Sequence, residues 1–397
     1  MSSVRRFLVA TLPDEAPLPA LGPADWQQLP GLAREHGLSP RVSGLLDRTS
    51  APDHVRQAVR RDAVNALVGS MQAHADLGTV ARVLDGCGVP WVAVKGPVLA
   101  DHWYTSPGQR SFVDLDVVVD PAGFSEALSS LQDAGAELLD RNFTHALAQR
   151  RAELMLRLPH GTTLDLHWHV LNAPELRAQL PVSIGGMLGR RKTVRIEELS
   201  VPTFDTVDTL LHLCLHTVLS GGQKLSWYRD LQQVVKTGVP WEELVERTAI
   251  ARAGVIVAVA LERATRLARS DVPPDLIPRL APDGRAWRAL VRAMDAVRPL
   301  GAPIDRRLSG RLLVESSRAD TASSRRALGQ SFTEELVRPV FTDPDHPWRR
   351  LRRGPATRRV NPLRAEPEAS ADRERYLTFV AAQDVARAAG HDPEPSA

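Results

Sequence analysis

At 397 residues the chain is long enough for two or three domains, and its 43% hydrophobic and 24% charged residues are those of an ordinary globular protein. Two cysteines, Cys87 and Cys214, exclude a disulfide scaffold, and without a CxxC pair they exclude a zinc knuckle. The net charge of +3 is unevenly spread: seven arginines and no acid lie between residues 347 and 364, so the rest of the chain is mildly acidic and nucleic acid is not an expected partner.

The first residues, MSSVRRFLVATLPDE, carry an apolar run of about six residues before Pro13, too short for a secretory leader. The longest apolar run elsewhere, 254–261 (GVIVAVAL), is far below the roughly 18 residues of a membrane helix. A cytoplasmic protein with reduced thiols and no membrane partner is expected.

Residues 24–48 carry apolar residues at helical spacing, and 53–85 reads as one long helix stopped by Gly86 and Gly88. The period then changes. Residues 89–94 (VPWVAV) read as a strand and 97–104 as a short helix with proline in its first turn. The β-branched run 111–119 (SFVDLDVVV) reads as a second strand, and 123–134 as a helix closing at Gly135. Residues 152–158 and 162–170 read as two strands joined by a His160-Gly161 turn. Helical patterns return at 206–219, 224–237, 241–253, 255–269 and 285–297, with two or three more within 305–341. The stretch 342–370 reads as an arginine- and proline-rich linker before a helix at 373–389. The expected division is an N-terminal helical region (1–85), an α/β core (86–200), a helical domain (201–300) and C-terminal helices with the linker (301–397).

The strand at 111–119 holds the informative feature. Side chains alternate along a strand, so Asp114 and Asp116 share one face, with Phe112 and Val118 at its flanks. Two adjacent carboxylates repel each other, which makes sense around a divalent cation; the bland alternative is an exposed edge strand with two solvated acids. The strand at 162–170 places Asp165, His167 and His169 on one face. If the two strands are neighbours, Asp165 completes a three-carboxylate cluster. Such a cluster can hold two metal ions about 3.5–4 Å apart for phosphoryl or nucleotidyl transfer. Magnesium, which takes hard oxygen ligands and substrate phosphates, is the expected ion. Upstream, Lys95-Gly96-Pro97 forms a strand–turn–helix: Gly96 permits close backbone approach to a phosphate, and Lys95, one of only four lysines, adds a point charge.

In this order, Lys95-Gly96, Tyr104 to Arg110 (YTSPGQR), Asp114-Leu-Asp116 and Leu164 to Trp168 (LDLHW) resemble the uncharacterised nucleotidyltransferase family of the DNA polymerase β-type nucleotidyltransferase superfamily. The resemblance continues through Leu211 to His216, Leu225 to Leu231 and Pro240-Trp241, and covers roughly 24–270. It implies an α+β fold, a small mixed β-sheet core flanked by N-terminal and C-terminal helical regions. It implies Asp114 and Asp116 as the metal-binding pair and Asp165 as the third acid, assisting deprotonation of an acceptor hydroxyl. Lys95, Gly96 and Arg110 would meet the nucleotide, although Arg110 can equally pair with Asp114. The superfamily's Gly-Ser turn is Gly96-Pro97 here, so the phosphate-binding hydroxyl is missing and Lys95 stands as its compensation.

The activity implied is magnesium-dependent transfer of NMP from an NTP donor to a hydroxyl-type acceptor, which is a small molecule, a peptide or a protein. The alternative is a non-catalytic nucleotide-binding protein of the same fold. His167, His212 and Asp230 are further cleft candidates, with the 206–269 helices expected to wall one side. His212 and His216 have a spacing that also suits zinc, though the glutamate of HExxH is absent. His167 and His169 beside Asp165 also admit a His/Asp metal centre of a hydrolase.

Overall fold

The computed structural model describes residues 3–112, 114–304, 308–333, 362–364 and 370–388. The chain divides into two compact units, 1–64 with 209–359 and 65–208 with 360–397. The fold is α+β, a small mixed sheet with helices on either side of it in the sequence.

In the first unit the described residues are helical. Its centre is the helix Gly254–Ala268, whose residues from Gly254 to Leu261 are all buried. The longest apolar run of the sequence is therefore a core helix. Among the described residues no helix is long and apolar enough to cross a membrane. At Gly254 an added Cβ would sit 2.1 Å from the carbonyl oxygen of Leu280, so only glycine allows that backbone approach. Further along the same helix the buried Arg263 pairs with Asp295 at 2.6 Å and donates to the Tyr228 hydroxyl at 3.2 Å.

The second unit holds a five-stranded sheet made of β1 (Trp91–Val94), β2 (Asp114–Val119), β3 (Glu137–Leu138), β4 (Glu153–Arg157) and β5 (Thr163–His167), in the order β1-β2-β5-β4-β3. β2 and β5 pair in parallel, and the other neighbours are antiparallel. One face is aliphatic: Leu115, Val117, Val119, Leu154, Leu156, Leu164 and Leu166 are all buried. A separate hairpin, β6 (Lys192–Ile196) and β7 (Leu199–Thr203), follows. The expected strand at 111–119 is shorter than its β-branched pattern suggested and starts at Asp114. Phe112 lies before it, its ring 6.4 Å from the His74 ring. The strand expected at 162–170 ends at His167.

The β4–β5 hairpin is pinned from the helix Asp53–Cys87. Asp76, fully buried, accepts the backbone N–H groups of His160 (3.0 Å) and Thr162 (3.1 Å) and faces His160 Nδ1 at 3.0 Å. A carboxylate is tolerated there because three donors satisfy it.

The expected linker at 342–370 lies mostly outside the described residues. Its described part, the 3-10 turn Pro362–Arg364, offers the Leu363 carbonyl to the N–H groups of Arg141 and Asn142, each at 2.8 Å. The helix Ser370–Ala388 then packs into the second unit. Its fully buried Tyr376 lies 5.6 Å from the Phe143 ring and 6.3 Å from the Phe124 ring, and donates its hydroxyl to Arg151 O at 3.0 Å. Phe379 meets the Trp168 ring edge-on at 6.1 Å. This late segment is thus core to the unit that carries the sheet. Tyr376→Ala should destabilise that unit by about 3–5 kcal/mol, the cost of truncating a buried aromatic. Chemical denaturation followed by tryptophan fluorescence checks this, and an unchanged transition would mean that the helix is only an appendage.

Candidate metal and nucleotide site

The register of the sheet builds the site. Asp116 stands opposite Asp165 across the parallel β2–β5 pair, with Val94 on one side of that row and Met155 on the other. The next row along the same face holds Glu153, His167 and Val118. Asp114, one strand-step before Asp116, stands opposite Thr163. One oxygen each of Asp116 and Asp165 and one ring nitrogen of His167 all lie within 4.8 Å of one another. Among the described residues these three are the one group of three or more His, Cys, Asp and Glu side chains placed to hold a metal ion.

Asp116 is buried and shared. Lys95 Nζ lies 2.7 Å from its Oδ1, and His167 Nε2 lies 3.4 Å from the same atom. Burial opposes its charge, but Lys95 and His167 hold its carboxyl far below the usual carboxylate range. Asp165 is the converse. Its carboxyl is raised to about 7: burial raises it most, His167 pulls it down, and the charges of Asp116, Glu153 and Asp114 push it up. Its buried Oδ1 has no hydrogen-bond partner among the described residues. A buried carboxylate oxygen with no donor, in a row of like charges, fits a cation: a divalent ion would satisfy the orphaned oxygen and screen the repulsion at once.

His167 is held from behind. Its Nδ1 lies 3.4 Å from Glu153 Oε2, and Glu153 is itself fixed by Arg151 and by Asn172 Nδ2 at 2.6 Å. Burial opposes the charged ring, but Asp116 and Glu153 raise its pKa nonetheless.

The turn after β1 is tightly built. Lys95 adopts φ 53°, ψ −139°, an uncommon conformation for a residue with a side chain, and Gly96 follows at φ +36°. A Cβ on Gly96 would stand 3.2 Å from the Asp114 carbonyl oxygen. Arg110 Nη1 donates to the Gly96 carbonyl at 3.2 Å, so the guanidinium braces the turn. The helix Gly96–His102 begins with five buried residues, and Lys95 reaches sideways to Asp116.

A family model described as uncharacterised nucleotidyltransferase matches residues 22–269, more than half of the chain. The chain belongs to this nucleotidyltransferase family. A solved structure, described as an antigenic nucleotidyltransferase-like protein from Paracoccidioides brasiliensis, is 16% identical, with a TM-score of 0.31 over 53% of this chain and 91% of that one. No curated protein matches the sequence.

Within this nucleotidyltransferase-family chain the sheet brings together Asp116, Asp165, His167 and Lys95, with Asp114 next along β2. It does not bring His169. With β5 ended at His167, the His169 ring turns into the core, where Nε2 meets Val182 O at 3.1 Å and Nδ1 accepts Leu171 N–H at 2.9 Å. Both ring nitrogens are engaged by backbone, so a centre using His167 and His169 together is ruled out. His212 and Asp230 are buried in helices of the first unit. The His212 and His216 rings lie 6.4 Å apart, and His216 packs edge-on against Trp227 at 5.1 Å. No third ligand turns that pair into one of the metal-holding groups among the described residues.

Glu153 is the site residue that sequence reasoning missed. The signal was present: counting outward from the Pro159-His160-Gly161 turn pairs 157 with 163 and 153 with 167.

Asp165 sets a pH dependence. A carboxyl with a native pKa above its unfolded one binds its proton more tightly when folded. Its contribution is therefore fully present below 3.8 and is lost as pH rises towards about 7. Metal-free protein should lose stability across that window, and Asp165→Asn should flatten the slope and raise stability at pH 8. Urea denaturation of both proteins at pH 5 and pH 8 checks this; equal slopes would refute it.

Proposed function

We propose that the protein is a divalent-metal-dependent nucleotidyltransferase that moves NMP from an NTP to a hydroxyl on a small molecule, peptide or protein. The observation that carries this is the parallel β2–β5 register, which sets Asp116 directly beside Asp165 with an unsatisfied carboxylate oxygen between charged neighbours. Family membership supports nucleotidyl transfer in general. The carboxylates by themselves suit Mg2+.

The acceptor oxygen attacks the α-phosphorus, the bond to the β-phosphate oxygen breaks, and pyrophosphate leaves. Asp165 would be the base that takes the hydroxyl proton, since it stands beside Asp116 across β2–β5 with a carboxylate oxygen that has no hydrogen-bond partner. Asp114, Asp116 and Asp165 would hold the metal, which would lower the pKa of the attacking hydroxyl and offset the charge of the departing pyrophosphate. Lys95 offsets part of the acidic charge and stands at the edge where a triphosphate would lie. Arg110 keeps the Gly96 turn in shape for phosphate approach. Free Cys87 and Cys214 suit the reducing cytoplasm in which we place the reaction.

A non-catalytic nucleotide-binding role is the second reading. It is favoured by the Gly96-Pro97 turn, which lacks a hydroxyl and whose first helical residues are buried.

The test is Asp116→Asn, a near-isosteric change. Transfer should fall at least about a hundredfold, the scale of removing one electrostatic stabiliser. Melting curves with and without Mg2+ and each NTP should show a ligand-induced rise in wild type that the variant lacks. Equal shifts in both proteins would mean that Asp116 holds no metal. Binding of NTP and metal without pyrophosphate release across an acceptor screen would favour the second reading.

A further inference from the structure

We infer that His167 is a metal ligand, so that Asp116, Asp165 and His167 form a mixed oxygen–nitrogen centre selective for a first-row transition ion over Mg2+. The inference rests on the nucleotidyltransferase reading and specifies the ion of that site. Three observations carry it.

The first is position. His167 Nε2 is 3.4 Å from Asp116 Oδ1, and a nitrogen of this ring lies within 4.8 Å of ligand oxygens on both aspartates. A single ion with metal–ligand lengths of about 2.0–2.2 Å would draw these atoms to within about 4.4 Å of one another, a small closure from the separations seen.

The second is the support behind the ring. Metal-binding histidines characteristically present one nitrogen to the ion and give the other N–H to a carboxylate, which fixes the tautomer and raises ligand basicity. Glu153 stands on the far side of His167, opposite it in the β4–β5 register, with Oε2 3.4 Å from an Nδ1 that is buried and makes no hydrogen bond, so this carboxylate is the acceptor within reach once Nε2 meets an ion. Arg151 and Asn172 lock that carboxylate. A histidine that merely neutralised Asp116 would need no second carboxylate held in place behind it.

The third is the donor set. Mg2+ takes near-ideal octahedral oxygen coordination and retains waters. Imidazole suits later first-row ions, whose affinities exceed that of Mg2+ at nitrogen-containing sites. Lys95 already balances part of the charge on Asp116, so pure charge attraction, the main term for Mg2+, is reduced, while the nitrogen donor remains.

Mn2+ is the probe, added alone to the full chain. Pulsed electron paramagnetic resonance of the bound ion should show coupling to a single imidazole nitrogen in wild type. That coupling should vanish in His167→Gln, with melting curves confirming that the variant is folded. Mn2+ affinity should fall at least about tenfold in His167→Gln and about tenfold in Glu153→Gln, while Mg2+ affinity moves less than about threefold. Bound Mn2+ without nitrogen coupling in wild type overturns the inference and leaves nucleotidyl transfer with Mg2+ standing. Failure of both Mn2+ and Mg2+ to bind removes the inference together with the metal-dependent reading.

Discussion

Two carboxylates lie side by side across the parallel strand pair of a small sheet, and the surrounding site is arranged to make that repulsion tolerable. Asp116 keeps its charge because Lys95 and His167 both converge on Oδ1. Asp165 has only His167 to favour its charge, and burial among like charges pushes its carboxyl towards neutrality. The two carboxyls are therefore unlike: Asp116 is held as an anion, while the pKa of Asp165 is raised. Bringing Lys95 into that position requires an uncommon backbone angle, a cost of order 1–3 kcal/mol for such conformations. The sheet tolerates it because Gly96 and the Arg110 guanidinium hold the turn from its other side.

The precision of the site depends on register, and register is set away from it. A one-residue slip of β5 would turn Asp165 and His167 into the aliphatic face and expose Leu164 and Leu166. Asp76 guards against this by gripping the hairpin turn through the His160 and Thr162 amides. The same hairpin places Glu153 behind His167. A single buried carboxylate on a helix thus fixes which side chains on β4 and β5 can meet.

Much of this was legible in the sequence, and the reasons differ by element. The long helix, the acidic strand and the hairpin around His160-Gly161 were readable because period and turn chemistry agreed. The pairing of Asp116 with Asp165 was readable only as a condition, since no local signal says which strands are neighbours. His169 was misplaced because alternation was carried two residues past the end of β5, where backbone groups capture the ring. Glu153 was overlooked because a lone acid on an alternating strand looks like a solvated edge residue. The β6–β7 hairpin was missed as well, its strands being short and rich in charged and turn-forming residues. The docking of Ser370–Ala388 could not be read at all, because helical periodicity shows an apolar face but not what it covers.

That last helix has a consequence for the order in which the protein is made. The sheet and its acidic row are encoded before residue 170, yet Tyr376, which lies between Phe124 and Phe143, is synthesised about two hundred residues later. Domains tend to fold as units while the chain emerges, but this one cannot close its core until the helix Ser370–Ala388 has been made. Partly made chains therefore carry the strands without their final packing. The large sequence separation between the sheet and its closing helix makes this a slow, non-local contact in folding. Folding of the sheet-bearing unit therefore waits for a segment made well after its strands.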